Sequence, residues 1–178
     1  MDRPVSLVPL LCLKCSTPIP AQPEEVAWAC ATCGQGQALD EEMGLVPLDI
    51  HYQAGIPANS QGKPFWVCDY RVSLERETYS GNEARQAQQF WDQPRSFLIP
   101  AYATNLEEGL ERANQLLLQP PALQDSLAVK FEPVVVSPAD VKSLAEFLVI
   151  SVEARRGDKL KALRASMELS PPALWILP

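Results

Sequence analysis

Four of the five cysteines form two C-x₂-C pairs near the start of the chain, Cys12-Cys15 and Cys30-Cys33, separated by 14 residues. A two-residue spacer lets both sulfurs of a pair reach one ion from a tight knuckle, and four thiolates make the tetrahedral shell of a structural zinc site. Gly34 follows the last cysteine and permits a positive φ at that turn. The spacing predicts one structural Zn²⁺ held by Cys12, Cys15, Cys30 and Cys33.

The two knuckles, CLKC and CATCG, resemble those of the zinc ribbon family over about 30 of the 178 residues. Two positions depart from the common pattern: Ser16 replaces the glycine that often follows the first knuckle, and Ala31 stands where proline often occurs. Neither change removes a ligand. The resemblance implies a bound metal and a small β-fold, but no particular task, because zinc ribbons serve transcription, translation and many protein assemblies.

The cysteine pattern has other interpretations: iron in a rubredoxin-like site, redox-active C-x₂-C pairs, or two disulfides. Rubredoxin-like chains usually have a wider gap and more aromatic residues around the metal. A thioredoxin-like site needs one C-x₂-C at a strand-to-helix junction, whereas these pairs lie in a proline-rich region. A catalytic zinc keeps an open position and usually has histidine or carboxylate ligands. We therefore favour a structural zinc.

Cys68 and His51 are the remaining candidates for catalysis. Cys68 lies on the apolar side of an alternating segment, between Trp66 and Tyr70, which favours a buried core thiol. His51 is the only histidine, and it could meet Cys68 if their two predicted strands pair. Such a pair also needs an orienting group and an oxyanion site, and no motif supplies either. We expect no catalytic or cofactor-binding residues and a protein that is not an enzyme.

The chain is expected to divide into a zinc ribbon (1–42) and a domain over 43–178. This domain is predicted to be α/β of the α+β kind, with a mixed or mainly antiparallel sheet and two to three helices. Residues 65–75 give the clearest strand, because apolar and polar side chains alternate. A strand over 44–53 is predicted to pair with 65–75 in an antiparallel hairpin. Further strands are predicted over 126–136 and 163–169, and strands at sheet edges over 96–102 and 173–177. The predicted helices cover 82–92, Thr104 to Pro120, and Ser137 to Gly157, the last of them largely buried.

Charge and hydropathy narrow the possible partners. The net charge is −7, and an acidic chain repels phosphate backbones unless it has a basic patch. Nucleic acid is therefore an unfavoured partner. No run of about 20 apolar residues predicts a membrane span. Paired C-x₂-C motifs without a secretion signal indicate a reducing compartment, so the cytoplasm is expected.

The leading functional hypothesis is a non-enzymatic adaptor or structural subunit of a larger protein assembly. The ribbon and two tryptophans expected at the surface, Trp28 and Trp91, would supply its contacts. The first alternative is a nucleic-acid-associated zinc ribbon protein of transcription or translation. The second is a thiol enzyme that uses Cys68. No small-molecule substrate is evident from the sequence.

Overall fold

The computed structural model describes residues 8–57 and 59–178, which form two sheets and three helices. The strands are β1 (Ala27–Ala29), β2 (Gly36–Asp40), β3 (Gly44–Pro47), β4 (Ile50–Tyr52), β5 (Lys63–Ser80), β6 (Arg95–Pro100), β7 (Lys159–Leu169) and β8 (Ala173–Leu177), and the helices are α1 (Ala84–Trp91), α2 (Leu106–Leu118) and α3 (Val141–Ala154).

The small sheet has the strand order β1-β2-β3, and the larger sheet has the order β4-β8-β5-β6, with β7 also paired to β5. Only the β4–β8 pair is parallel among these strands. The predicted α+β class is confirmed.

The small sheet carries the second cysteine pair and continues past residue 42 through β3. The single strand predicted over 44–53 is therefore wrong: β3 and β4 belong to different sheets. The chain turns between them, where Leu48 N donates to Gly36 O at 2.9 Å. A side chain at Gly36 would collide with the Leu48 carbonyl, so glycine is required there. Ala27 and Ala38 are buried in the main hydrophobic core. The proposed division at residue 42 stays a prediction.

The central strand β5 confirms the strand predicted over 65–75 and is longer, at 18 residues. Trp66, Cys68, Tyr70 and Val72 all point into the core. The first half of β5 lies between β8 and β6, and the second half pairs with β7. The predicted hairpin between 44–53 and 65–75 is wrong, because β8 lies between β4 and β5.

Two other strand predictions fail for opposite reasons. β8 was expected at an edge, but it is paired on both sides and Leu174 and Ile176 are fully buried. A short uninterrupted apolar run is typical of such an interior strand. Residues 126–136 form no regular strand; they make only isolated bridges, including Phe131 with Gly62 and Val134 with Ala27. The backbone–backbone hydrogen bonds of residues 130–136 go to residues that flank strands, Val26, Gly62 and Ala101, so the segment extends no ladder.

The three helices lie close to their predicted positions. The helix expected to begin at Thr104 is capped one residue later by Asn105, whose side chain accepts a hydrogen bond from Glu108 N at 2.9 Å. Helix α3 follows a 3₁₀ turn (Pro138–Asp140) capped by Ser137, as predicted. It is less buried than expected, since Phe147 and Ile150 are about half exposed. No helix of the described residues is long and apolar enough to cross a membrane.

The expectation that Trp28 and Trp91 lie at the surface is wrong. Both are buried, at 6% and 2% exposure. The indole Nε1 of Trp28 donates to Glu25 at 3.0 Å, and that of Trp91 donates to Glu153 at 2.7 Å. Each ring is thus held by a carboxylate close to it in space, and neither supplies an exposed contact.

Candidate metal centre

The first knuckle is a tight turn around Cys12. Cys12 N donates to Thr17 O, and Ser16 N donates to Cys12 O, both at 2.9 Å. Ser16 takes a φ of 57°, a left-handed conformation that is uncommon for residues other than glycine. Serine therefore occupies the turn position at which zinc ribbons often place glycine, and the knuckle closes without it.

The second knuckle repeats the same hydrogen-bond pattern within the turn that joins β1 to β2. Cys30 N donates to Gln35 O, and Gly34 N donates to Cys30 O, both at 2.8 Å. Gly34 has a φ of 75°, as predicted from its place after the last cysteine. Ser16 and Gly34 are thus equivalent positions in two similar turns. Strands β1 and β2 fix one cysteine pair against the other.

The four predicted ligands converge on one point. Cys12 Sγ lies 3.5 Å from Cys33 Sγ, and Cys15 Sγ lies 3.6 Å from Cys30 Sγ. All four sulfurs lie within 4.8 Å of one another. A tetrahedral ion with metal–sulfur bonds of about 2.3 Å requires sulfurs about 3.8 Å apart, so the cluster fits a single ion. The cysteines are free, and these separations far exceed a disulfide bond of about 2.05 Å.

The thiols of the cluster differ in acidity because their surroundings differ. The hydroxyl and backbone of Thr17 favour the thiolate and lower the pKa of Cys15 to about 6. The Cys33 backbone likewise lowers the pKa of Cys30. The Gln35 backbone favours the Cys33 thiolate, but burial and the other cysteines outweigh it and raise the pKa of Cys33 to about 12. A bound cation would offset the repulsion between neighbouring thiolates and displace the protons that remain on the four sulfurs.

Gln37 is a supporting residue that sequence reasoning missed. Its side chain is fully buried; Oε1 accepts a hydrogen bond from Leu13 N at 3.1 Å, and Nε2 donates to Leu11 O at 3.4 Å. Leu11 and Leu13 flank Cys12, so this one amide connects β2 to the first knuckle. Gln37 is the second residue of β2. Its role depends on contacts with the first knuckle, so no pattern in the sequence identifies it.

Cys68 and His51 are not brought together. Cys68 is 2% exposed on the core face of β5, and burial, with a smaller contribution from Asp69, raises the pKa of its thiol to about 11. His51 pairs in register with Trp175, which pairs in turn with Phe65 of β5. Since Phe65 and Cys68 are three residues apart on one strand, their side chains point to opposite faces of the sheet.

His51 instead takes part in a surface contact. Its ring stacks on Trp175, with centroids 4.7 Å apart, and Nδ1 lies 2.9 Å from Asp125 Oδ1. The neighbouring Gln53 also holds this loop: its side-chain amide donates to Ala122 O at 3.0 Å, and its Oε1 accepts from Gln124 N at 2.8 Å. The histidine thus helps to attach the loop before residue 126 to the edge of the main sheet.

The arrangement as a whole offers a closed, four-sulfur metal shell set beside the main core. Four protein ligands fill a tetrahedral ion and leave no position for water or substrate. No protein-family model matches the chain, and no curated protein or solved structure is significantly similar to it. Function depends on the site and its surface rather than on the fold, and here the site is a four-cysteine cluster that fits one metal ion, with exposed apolar neighbours.

Proposed function

We propose that this protein is a non-enzymatic zinc ribbon protein that acts as an adaptor or structural subunit of a larger protein assembly. Zinc suits the donor set because it favours tetrahedral thiolate coordination. The four cysteines would hold it as a structural ion, and its binding would order the two knuckles. Such coordination contributes roughly 10–16 kcal/mol of apparent binding free energy in small zinc domains at neutral pH.

The observation that carries the docking role is the exposed apolar surface on the first knuckle. Leu11 and Leu13 flank Cys12 and are 42% and 49% exposed. Exposed apolar side chains at a well-defined turn are suited to contact with another protein. These leucines, and not the buried Trp28 and Trp91, are therefore the candidate contact residues.

Nothing in the described structure favours the two alternatives. Between residues 8 and 42, Lys14 is the only cation, against five acidic residues, which opposes binding to phosphate backbones. A thiol enzyme would need an ionisable, accessible Cys68, whereas this thiol is buried and its pKa is raised. Adaptor and subunit roles are therefore preferred over both.

The test measures the size of the native complex by size-exclusion chromatography of cell extract. We expect a species larger than the monomer, weakened by Cys30→Ser, which removes a ligand, and by Leu13→Gln, which removes an exposed apolar contact. Leu118→Gln is the matched control, because Leu118 is 55% exposed at the far end of α2. A monomer in extract that shows turnover abolished by Cys68→Ala or His51→Ala would overturn the proposal.

A further inference from the structure

A second apolar surface, lined by none of the cysteines, is a groove between the first halves of α2 and α3 and the end of β6. The groove has a volume of about 490 Å³, which is within the range of roughly 300–1,000 Å³ for binding pockets. Its floor and walls are mainly aliphatic. The side chains that matter here are Ile99, Leu106, Leu110, Ala113, Val136 and Leu144.

Three polar groups in the walls already have hydrogen-bond partners within the protein. Val136 O accepts from Trp66 Nε1, and Val135 N donates to Ala101 O, both at 2.8 Å. Asn105 Oδ1 accepts from Glu108 N as the helix cap. A small-molecule site normally has a few convergent polar groups that fix the ligand's orientation. This groove offers mainly apolar contact, which suits the apolar face of an amphipathic helix laid between two helices.

The groove has one charged lining side chain, the exposed Glu24. A second carboxylate, that of Glu108, lies 3.4 Å from the hydroxyl of Thr104, another lining residue. The nearby cation Lys63 is already placed over an aromatic ring, with Nζ 4.8 Å from the centre of the Tyr102 ring. The whole chain carries a net charge of −7. An exposed carboxylate beside an apolar floor favours a partner with the opposite charge.

We infer that this groove binds a basic amphipathic helix of a partner protein, with a large apolar side chain on the floor and Lys or Arg beside Glu24. This rests on the proposed docking function and names the chemistry of one partner. Leu106 is the exposed apolar contact, at 53% exposure on the first turn of α2. Glu24 supplies the charge that selects a basic sequence over an acidic one.

The test uses a random-peptide display library as the probe, selected against the full zinc-loaded chain. Enriched peptides are synthesised, and their affinity is measured for four variants that form two matched pairs. Leu106→Gln is compared with Leu118→Gln, which changes the same residue type at 55% exposure on the same helix, outside the groove. Glu24→Gln is compared with Glu41→Gln, which changes an exposed glutamate in the turn before β3. Thermal unfolding verifies that each variant folds.

The expected peptides carry a large apolar residue flanked by Lys or Arg. Leu106→Gln should weaken them about fivefold or more, the level of a significant interface contact, and Glu24→Gln should weaken them and reduce their salt dependence. The two control variants should bind as the wild type does. The inference is wrong if no peptide is enriched, if the enriched peptides are acidic, or if each variant matches its control. Peptide binding lost in Leu106→Gln while the native complex stays intact would support the groove and leave the adaptor proposal standing. No enriched peptide, together with a native complex that Leu13→Gln weakens, would refute the groove and still leave the adaptor proposal standing.

Discussion

At the scale of single residues, the first knuckle of the four-cysteine cluster is held by a neighbour that is not a candidate ligand. Gln37 fills a buried position and holds the backbone on both sides of Cys12. Residues that orient metal ligands typically change metal affinity by about 10- to 100-fold when they are mutated. Gln37→Leu keeps the approximate size but removes both hydrogen bonds, so we expect zinc affinity to fall by about that factor in a competition titration with a chelating dye.

Gln35→Leu is the control for this prediction. The side chain of Gln35 donates only to Gly36 O, at 2.8 Å, and its backbone carbonyl, which accepts from Cys30 N, stays in place. Zinc affinity should therefore stay close to that of the wild type. Equal losses in the two variants would mean that Gln37 supports the fold and not the knuckle.

Cys68 should be a protected thiol. Its pKa, raised to about 11 by burial and by Asp69, keeps it protonated at neutral pH, and the thiolate is the reactive form. In the zinc-loaded protein, alkylation followed by mass spectrometry should show slow labelling at this position. Cys68→Ala should cost about 1–2 kcal/mol of unfolding free energy, as small cavities do. Rapid labelling of Cys68 under native conditions would contradict this.

The residues of the site were predictable to the extent that local spacing determines them. Two C-x₂-C pairs and Gly34 indicate a cluster without any knowledge of the tertiary structure. Gln37 could not be found in this way, because its role depends on β2 lying against the first knuckle. Trp28 and Trp91 were misjudged for the same reason: each is buried by tertiary packing, and Glu153, which holds Trp91, is 62 residues away in sequence.

At the scale of elements, a buried ion network connects the second half of β5 to α3 and to the turn just before β7. Arg76 contacts Glu153 at 2.8 Å and Asp158 at 2.9 Å, and the three side chains are at most 2% exposed. The Arg76 hydrogen bond and the Glu83 amide hold the pKa of Asp158 below its usual value. The carboxylate therefore contributes stability above the unfolded-state pKa of about 3.9, which is lost as the pH falls through the folded pKa.

Asp158→Asn should lower the unfolding free energy at pH 7, and its difference from the wild type should shrink as the pH falls below about 4. Urea unfolding at both pH values measures this. Glu77→Gln is the control, because Glu77 pairs with Lys161 at 2.9 Å on the exposed surface, where such pairs contribute less than about 1 kcal/mol. A difference for Asp158→Asn that does not change with pH would contradict the assignment.

Helices and strands were predicted correctly where a short stretch of sequence carries the whole pattern. The alternation along β5 identifies a strand whatever it pairs with, and Ser137-Pro138 marks a helix start. Pairing partners depend on contacts far apart in sequence, so the order β4-β8-β5-β6 was not predictable. For residues 126–136, β-propensity was misleading, because this segment bridges Ala27 of β1 and Gly62, just before β5, one residue at a time and joins neither sheet.

At the scale of the whole molecule, charge opposes the nucleic-acid alternative. With a net charge of −7, we expect binding to DNA or RNA no tighter than the roughly 10⁻⁴–10⁻⁶ M of non-specific contact at physiological salt. A gel-shift titration measures this, with a basic protein of similar size as the positive control. Nanomolar binding would place the nucleic-acid role above the adaptor role.

The most direct test of the central claim is the metal content of protein purified without chelator, measured by inductively coupled plasma mass spectrometry. We predict about one zinc per chain, since four thiolates close one tetrahedral shell. Cys30→Ala should lose the metal, and Cys68→Ala, which removes the one cysteine outside the cluster, should retain it. Chains with no metal, chains with iron in place of zinc, or loss of zinc on Cys68→Ala would contradict the account.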